Sequence, residues 1–396
     1  MKVLLVSEPG VDGVFRFVES LAHFLVEQQV QVHYAYSDRR ASDQLQPLVD
    51  FVRAQGGETF NLATGNGPSF SDIRAFQGLR ALVDTVQPDI IHSHSSKAGV
   101  LARGLKVFGV RTPQIYQPHA YAGMRPQAGL SRHLYDTIES VLGRWGTTIN
   151  ISSDEFAYAL GRLHLPPGRA IWLTNGIDTS HFQPATVAEK AALRRRLGLR
   201  QNARVLGVMG RAAQQKDPLT TYRAFADALL TEPNLVLFHV GRGELDPEID
   251  QFIAEHNLQD CIVRLPYLST PVDFYRAIDG LILSSLYEGM SLAALEAMAC
   301  DLPLIVSDAP GNRELSKLPL SHLWLAPIGD ATAFSRAILE WAAGRPIPCT
   351  HRTCATWHFN HRQTYANILT LYRRLKQTSS PDHSPTPPLR PQPSSS

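Results

Sequence analysis

Short apolar runs alternate along the chain with longer segments in which apolar residues recur every three or four positions. The first pair is a nearly continuous apolar run at residues 3–7 and a segment at 14–27 that places Phe17, Leu21 and Leu25 on one helical face. A short apolar run without alternation is typical of a strand buried on both sides, as in a parallel sheet. The pattern therefore predicts a β-strand followed by an amphipathic α-helix.

The same alternation continues and divides into two sets. The first set has further predicted strands at 30–36, 89–94, 114–119 and 147–152, with predicted helices at 73–86, 100–108 and 131–143. The second set has predicted strands at 204–209, 234–239, 261–265, 281–284 and 303–307. Because strands and helices alternate, we predict an α/β chain with two doubly wound Rossmann-like domains, at residues 1–183 and 184–350.

Length and composition agree with two domains. The chain has 396 residues, more than one hydrophobic core usually supports, and 44% of them are hydrophobic. We expect a C-terminal helix at 359–376, within the segment 351–378, and the Pro- and Ser-rich segment 379–396 is expected to be disordered. No run of about 18 apolar residues occurs, so we expect a cytoplasmic protein.

The distribution of charge is more informative than the net charge of +2, which gives no indication of a nucleic-acid partner. Residues 97–144 carry seven cations against two acids. A basic face on the N-terminal half would suit an anionic inner membrane face or a diphosphate-linked acceptor, and ordinary solvated helix faces are the alternative. The cations are Lys97, Arg103, Lys106, Arg111, Arg125, Arg132 and Arg144.

Metal and disulfide chemistry are not favoured by the sequence. Four cysteines are too few for a disulfide framework in so long a chain. Cys349, His351, Cys354 and His358 have side chains that could ligate zinc, but their spacing is cramped. The chain also lacks an Asp-x-Asp triplet that would hold a divalent cation against a diphosphate, so we predict no bound metal.

Two carboxylates flank the start of an apolar helix. Glu288 falls in the turn after the predicted strand 281–284, and Glu296 lies inside the helix, with no charged residue between them. A solvated surface is therefore disfavoured, and ribose hydroxyls could hydrogen-bond the buried Glu296. The helix start would present backbone N–H groups to a phosphate, those around Met290, Ser291 and Leu292.

Two cations follow another predicted strand. Residues 204–209 are succeeded by Gly210, Arg211 and then Lys216. Open α/β sheets bind ligands at the carboxyl ends of their strands. A guanidinium and an ammonium at that edge would stabilise a diphosphate, although loop cations are also common after strands.

These segments resemble the retaining glycosyltransferases of family 4. The resemblance lies in the Glu-x7-Glu pair of Glu288 and Glu296, in Gly-Arg-x3-Gln-Lys at 210–216, and in Val-Gly-x-Gly at 240–243. It implies the GT-B fold, in which two Rossmann-like domains face each other across a cleft and the C-terminal helix, here within 351–378, packs back on the N-terminal domain.

The resemblance also implies an activity. Such an enzyme moves a sugar from a nucleoside-diphosphate-sugar to an acceptor hydroxyl, with no cofactor, and the acceptor would be a glycan or lipid-linked sugar in surface polysaccharide assembly. The implied catalytic residues are Glu288, His119, Arg211 and Lys216. The implied substrate-binding residues are Gly13, Gly210, Gly241, Gly243, Gly289, Met290, Ser291, Leu292 and Glu296.

Other classes remain as alternatives. A nucleotide-sugar epimerase of the same fold would need no acceptor, and a non-catalytic glycan-binding protein would release no nucleotide. A sugar phosphorylase is less favoured because no segment resembles its pyridoxal lysine site. Gly10 and Gly13 lack the third glycine of the dinucleotide fingerprint, which disfavours an NAD enzyme.

Overall fold

The computed structural model describes residues 1–10, 12–65, 67–125, 130–268, 270–344 and 349–378. The predicted disordered tail at 379–396 lies outside these residues. The described chain forms two parallel sheets with helices on both faces, as the alternating pattern predicts.

The first sheet has seven strands and is flanked by six helices. The strands are β1 (Lys2–Ser7), β2 (Gln31–Tyr36), β3 (Thr59–Asn61), β4 (Ile90–His94), β5 (Gln114–Gln117), β6 (Thr147–Asn150) and β7 (Ala170–Trp172). The helices are α1 (Asp12–Glu27), α2 (Leu45–Ala54), α3 (Ser71–Val86), α4 (Ser96–Gly104), α5 (Leu130–Leu142) and α6 (Ser153–Gly161). The strand order is β3-β2-β1-β4-β5-β6-β7.

The second sheet has six strands and again six helices. The strands are β8 (Arg204–Met209), β9 (Leu235–Val240), β10 (Ile262–Leu265), β11 (Gly280–Leu283), β12 (Leu304–Ser307) and β13 (Leu323–Ala326). The helices are α7 (Val187–Arg196), α8 (Pro218–Leu229), α9 (Asp246–Glu255), α10 (Pro271–Ala277), α11 (Leu292–Ala299) and α12 (Ala331–Ala343). The strand order is β10-β9-β8-β11-β12-β13.

The central strands are buried because helices cover both faces of each sheet. Val3, Leu4, Leu5 and Val6 of β1 have no exposed surface, and successive side chains point to opposite faces. They pair in parallel with β2 on one side and β4 on the other, where Val3 lies opposite both Val32 and Ile90. Burial of both faces accounts for the continuous apolar pattern of these strands.

Each sheet reverses its strand order beside its first strand, and this reversal positions the site. β1 lies between β2 and β4, and β8 lies between β9 and β11. At such a point the loops after neighbouring strands diverge and leave a crevice at the carboxyl ends. The loops after β1 and β5 in the first sheet and after β8, β9 and β11 in the second carry the predicted site residues.

The C-terminal segment has a helix close to the one expected at 359–376 and a shorter helix before it. It forms two helices, α13 (His351–His358), which contacts α11, and α14 (His361–Thr378), which contacts α1 and β4. The break comes at Phe359 and Asn360, because the Phe359 carbonyl accepts a 2.7 Å hydrogen bond from the N–H of Ile177. Only α14 packs back on the N-terminal domain in the predicted way.

Candidate active site between the two sheets

Glu288 lies in the turn between β11 and α11 and is nearly buried. Its Oε1 accepts hydrogen bonds from Lys216 Nζ at 2.5 Å and from Ser285 Oγ at 2.7 Å. The structure thus brings together two predicted residues from different loops. Their charges compensate each other at an edge of the sheet where burial would otherwise penalise both.

Three residues separate Glu288 from the N-terminus of α11, whose first residue is Leu292. Ser291 is the N-cap residue, but its side chain makes no capping hydrogen bond, and its buried Oγ has no partner among the described residues. The first N–H groups of a helix have no intrahelical acceptor, so this turn can receive a phosphate. Met290 and Leu292 flank Ser291, and Gly289 precedes them.

Glu296 is fully buried inside α11 and both of its oxygens already have protein partners. Oε1 accepts from the guanidinium of Arg16 in α1, and Oε2 accepts from Tyr275 Oη at 2.5 Å. Burial and the charge of Glu296 hold the pKa of Tyr275 well above its usual value, so the phenol remains a donor. A ribose at Glu296 therefore has to share the carboxylate with these groups or displace them.

The loop after β8 carries the two predicted phosphate-binding cations. Arg211 and Lys216 line one small pocket together with Ser284 and Ser285 of the β11 loop. The two loops are tied together by Gln215, whose Nε2 donates to the Tyr287 carbonyl at 3.1 Å. The convergence at the carboxyl edge is the one that the sequence predicts.

Three predicted glycines explain how closely the loops after β8 and β9 approach. Gly210 and Gly241 have φ of 151° and 138°, values that favour glycine. A Cβ on Gly241 would lie 2.0 Å from the Gly210 carbonyl oxygen, and one on Gly243 would lie 2.3 Å from that of Ala212. Any side chain at Gly241 or Gly243 would displace the backbone that carries Arg211.

His119 follows β5 on the opposite side of the cleft. Its Nε2 lies 3.1 Å from Nδ1 of the buried His94, and its ring packs edge-on against Phe17 with centroids 5.1 Å apart. Burial lowers the pKa of His119 to about 3, so the imidazole is neutral. With Nε2 engaged by His94, Nδ1 is the ring nitrogen left for a ligand.

Gly13 marks where the N-terminal turn of α1 meets the second domain. A Cβ at Gly13 would lie 3.3 Å from Leu292 Cδ1 in the first turn of α11. The N-termini of α1 and α11 therefore face each other across the cleft. Two helix N-termini directed at one region strengthen its preference for an anion.

Sequence reasoning missed three residues of this site. Arg16 lies away from the apolar face of α1, so neither it nor Tyr275 gave a signal in the sequence. Glu155, in the first turn of α6, accepts hydrogen bonds from the backbone at 2.6 and 2.8 Å beside Gly289. Its signal was the Ser152-x-x-Glu155 capping pattern, which predicts a helix start but no role in a cleft.

The candidate zinc residues are not gathered into a metal site. Across the described residues, no group of three or more His, Cys, Asp or Glu side chains could hold a metal ion. Cys349 Sγ lies 3.6 Å from His322 Nδ1, and burial raises the pKa of Cys349 to about 12. His351 bonds the backbone of Leu302, while His358 is exposed at the end of α13.

The predicted basic face is smaller than the sequence indicates. Arg103 is buried and paired with Glu139, and Lys97 is paired with Asp72. Their charges are satisfied inside the first domain, so these two cations do not belong to a free surface. Within the part of the chain that the structure describes, no helix is long and apolar enough to cross a membrane.

Similarity to known proteins agrees with this geometry. Residues 189–353 match the family described as Glycosyl transferases group 1, and residues 12–176 match the Glycosyl transferase 4-like domain. The chain is 29% identical over 291 residues to the UDP-Gal:alpha-D-GlcNAc-diphosphoundecaprenol alpha-1,3-galactosyltransferase of Escherichia coli, covering 72% of this chain and 74% of that protein. It is 28% identical to the D-inositol 3-phosphate glycosyltransferase of Thermobispora bispora, covering 78% and 77%.

Solved structures share the fold. The sucrose-phosphate synthase of Thermosynechococcus elongatus superposes with a TM-score of 0.77 at 20% identity, covering 95% of this chain and 99% of that one. HepE of Anabaena, solved with UDP and glucose, superposes with a TM-score of 0.78 at 18% identity, covering 94% and 100%. The two matched regions contain every strand of the two sheets except β1, and every residue of the cleft described above. The chain belongs to the group 1 glycosyltransferases of family 4, with their two-domain GT-B fold.

Proposed function

We propose that the chain is a retaining, metal-independent glycosyltransferase that moves a sugar from a nucleoside-diphosphate-sugar to an acceptor hydroxyl. The observation that carries the proposal is the convergence of Glu288, Lys216 and Arg211 beside the N-terminus of α11. In this arrangement an anion-binding helix end, two cations and a carboxylate for sugar hydroxyls lie at one edge of a sheet. A non-catalytic binding protein of this fold has no leaving group for these cations to stabilise, and an epimerase would need no acceptor.

The proposed reaction breaks the bond between the anomeric carbon and the phosphate oxygen, which leaves with the bonding electrons. The acceptor oxygen forms its bond to the anomeric carbon on the same face, and its proton passes to the departing phosphate oxygen. Arg211, Lys216 and the α11 N-terminus would stabilise the growing negative charge. Glu288 and His119 would hold hydroxyls of the transferred sugar.

The charged side chains of the site support the proposal that the enzyme needs no metal ion. A donor diphosphate needs cationic partners in any enzyme, and here Arg211 and Lys216 can provide them without a divalent ion. The chain also lacks an Asp-x-Asp triplet. We therefore propose that diphosphate neutralisation is carried by protein groups.

We further propose a UDP-hexose as donor and a lipid-linked or growing glycan as acceptor. Support comes from the galactosyltransferase of Escherichia coli, whose name gives UDP-Gal and a diphosphoundecaprenol acceptor, and from HepE structures with UDP and UDP-glucose. UDP-galactose and UDP-glucose are named for those proteins. They are therefore the first donors to test with this chain.

The deciding experiment has two steps. UDP, GDP, ADP and their sugars are screened for thermal stabilisation, since a ligand at about 100 times its Kd adds roughly 2.7 kcal/mol. The stabilising α-linked donor is then incubated with glycan and lipid-linked acceptors, and the anomeric configuration of the product is read by NMR. An α-linked product supports the proposal, and a β-linked product overturns retention. Isomerised donor without acceptor would favour the epimerase.

Contact with an anionic membrane is also proposed, on a surface at the C-terminal ends of α4 and α5. Both helices follow neighbouring parallel strands, so these ends lie on the same side of the first sheet. Val107, Phe108 and Trp145 are exposed there, and the exposed Arg111 and Arg144 lie in the same two segments. Exposed apolar side chains with nearby cations suit an anionic lipid surface.

Vesicle flotation tests this surface. The protein should float with vesicles that contain anionic lipid and not with neutral ones, and replacing Val107 and Phe108 by Ser should abolish flotation. Phe70→Ser, which changes an exposed aromatic residue at the other end of the domain, is the matched control. Equal flotation of both variants would contradict the proposed surface.

A further inference from the structure

The backbone after β5 is held in a costly conformation at the predicted catalytic histidine. His119 and the next residue, Ala120, have φ of 54° and 96°. Residues with a side chain rarely adopt positive φ, and two in succession persist only where surrounding groups fix them. The group that fixes this turn therefore determines where the His119 ring points.

Glu155 is the group that holds the backbone of the His119–Ala120 turn. It lies in the first turn of α6 with no exposed surface. Its Oε1 accepts the Ala120 N–H at 2.6 Å and its Oε2 accepts the Ile151 N–H at 2.8 Å. One carboxylate thus ties the strained turn after β5 to the end of β6, and hydrogen bonds to a charged acceptor are the stronger kind.

The same carboxylate touches the other domain next to Glu288. A Cβ built on Gly289 would lie 2.8 Å from Glu155 Oε1 and 2.9 Å from the Ala120 nitrogen. Only a glycine permits this approach without displacing one of the two domains. Glu155 therefore lies between the turn that carries His119 and the turn that carries Glu288.

Neighbouring residues of α6 hold the two domains together at this point. The Gly311 N–H donates to Asp154 Oδ2 at 3.0 Å, and Glu314 accepts from the N–H and the hydroxyl of Ser153 at 3.1 and 2.5 Å. The start of α6 is thus fixed to the second domain as well as to the first. The position of the α6 N-terminus relative to the Gly289 turn is therefore defined by three hydrogen bonds between two pairs of residues.

We propose that Glu155 is a positioning residue of the transferase, which fixes the His119–Ala120 backbone so that the imidazole meets the sugar held by the Glu288 turn. The proposal rests on the proposed function, because His119 matters only if a sugar is transferred there. Burial raises the pKa of Glu155 to about 7, with the charge of Asp154 adding to the effect. A carboxylate buried at such a cost, whose two oxygens accept backbone N–H groups, is typical of a functional region.

The first test compares Glu155→Gln with Ser152→Ala. Glutamine keeps the shape but presents one NH2 group to a backbone N–H, so one of the two hydrogen bonds is lost. We expect kcat to fall about 10- to 100-fold while the donor KM and the Kd of the free nucleotide change by less than about threefold. Ser152→Ala removes the N-cap bond of α6 and leaves the carboxylate in place, so it should lower Tm by a few degrees with kcat nearly unchanged.

A rescue experiment separates positioning from general stability. Glycine adopts positive φ without a steric penalty, so Ala120→Gly added to Glu155→Gln should recover a large part of the lost kcat. A merely structural role for Glu155 predicts no recovery. Failure of this rescue, or a Ser152→Ala variant as impaired in kcat as Glu155→Gln, overturns the proposal.

Hydrogen exchange at Ala120 tests the positioning role of Glu155 without depending on enzyme activity. The Ala120 amide should exchange hydrogen faster in Glu155→Gln than in the unmodified protein or in Ser152→Ala, as measured by mass spectrometry of the peptide around it. Unchanged exchange contradicts the positioning role whatever the activity. If the Ala120 amide exchanges faster in Glu155→Gln but the unmodified protein transfers no sugar, the hydrogen bond from Ala120 to Glu155 is supported and the proposed function is rejected.

Discussion

Arg16 in the first helix of the N-terminal domain donates a hydrogen bond to Glu296 in the second domain. The carboxylate expected to bind a ribose is therefore also a contact across the cleft. Tyr275 holds its other oxygen at 2.5 Å, so a ribose has to share the carboxylate with these two groups or displace one of them. If the ribose binds at Glu296 as proposed, nucleotide binding and the Arg16 contact between the two domains are coupled through this one side chain.

The first prediction concerns Glu296. Glu296→Ala should raise the donor KM and the nucleotide Kd by about tenfold or more, because a hydrogen bond to a charged group contributes roughly 1.5–3 kcal/mol. The expected ribose contact would be present in ground and transition states alike, so kcat should change less. Isothermal titration with the nucleotide and steady-state kinetics measure the two effects.

Arg16→Ala is the comparison for this prediction. It removes the bond across the cleft but leaves Glu296 available to a ribose, so nucleotide affinity should not fall in parallel. Equal losses of nucleotide affinity in Arg16→Ala and Glu296→Ala would show that binding requires the hydrogen-bonded pair of Arg16 and Glu296, and not the carboxylate alone. A fall in kcat with unchanged KM in Glu296→Ala would place Glu296 against the sugar.

The second prediction concerns Arg211 and Lys216. Each substitution by Ala should lower kcat by about 10²–10³, since each group is proposed to act where negative charge develops on the leaving diphosphate. The double variant should lose less than the sum because both cations act on one diphosphate. Arg211→Lys should recover little, since an ammonium lacks the planar two-donor geometry.

Arg242→Ala is a matched control for these cations. Arg242 lies in the neighbouring loop after β9 and pairs at the surface with Asp246, so its removal should leave kcat nearly unchanged. Near-normal kcat and KM in both Arg211→Ala and Lys216→Ala would remove these residues from the site.

The third prediction is full turnover after chelation. If Arg211, Lys216 and the α11 N-terminus neutralise the diphosphate, initial rates should be the same with EDTA and with added Mg²⁺ or Mn²⁺. Nucleotide release under each condition is the measurement. Activity lost with EDTA and restored by a divalent ion would assign the diphosphate to a metal.

The sequence was sufficient to predict the turn and helix around Glu288 and Glu296. A buried apolar strand, a polar turn and a small-residue helix follow each other there, and local patterns of this kind depend little on the rest of the fold. Short edge strands were not predictable in the same way. β3 and β7 have three residues each, too few for a periodicity, and they form because a neighbouring strand offers hydrogen bonds.

Contacts between the domains were beyond prediction from the sequence. Arg16 and Glu296 are separated by 280 residues, and their pairing depends on how the two sheets face each other. The same holds for Glu155 beside Gly289. Local propensity accounts for α6 and for the glycine, whereas their contact follows from the closed arrangement of the whole chain.

The last prediction is that buried histidines make the fold sensitive to acid. Burial lowers the pKa of His92 from an ordinary 6.5 to about 3, with the charge of His119 adding to the effect. Between these values the unfolded chain binds a proton that the folded protein does not, so this contribution to stability is lost as pH falls from about 6.5 towards 3. The slope approaches about 1.4 kcal/mol per pH unit for each such histidine.

His92→Gln tests this because glutamine has no proton to gain and retains an acceptor for Tyr372 Oη, which lies 2.6 Å from His92 Nδ1. Urea unfolding at several pH values between about 5 and 7.5 should give a smaller loss of stability on acidification than in the unmodified protein, even if the variant is less stable at neutral pH. His133→Gln, at an exposed position of α5, should leave the slope unchanged. If the stability of all three proteins had the same pH dependence, His92 would have to be protonated in the folded state. The positive charge would then lie against the ring of His94, whose centroid is 4.1 Å from that of His92.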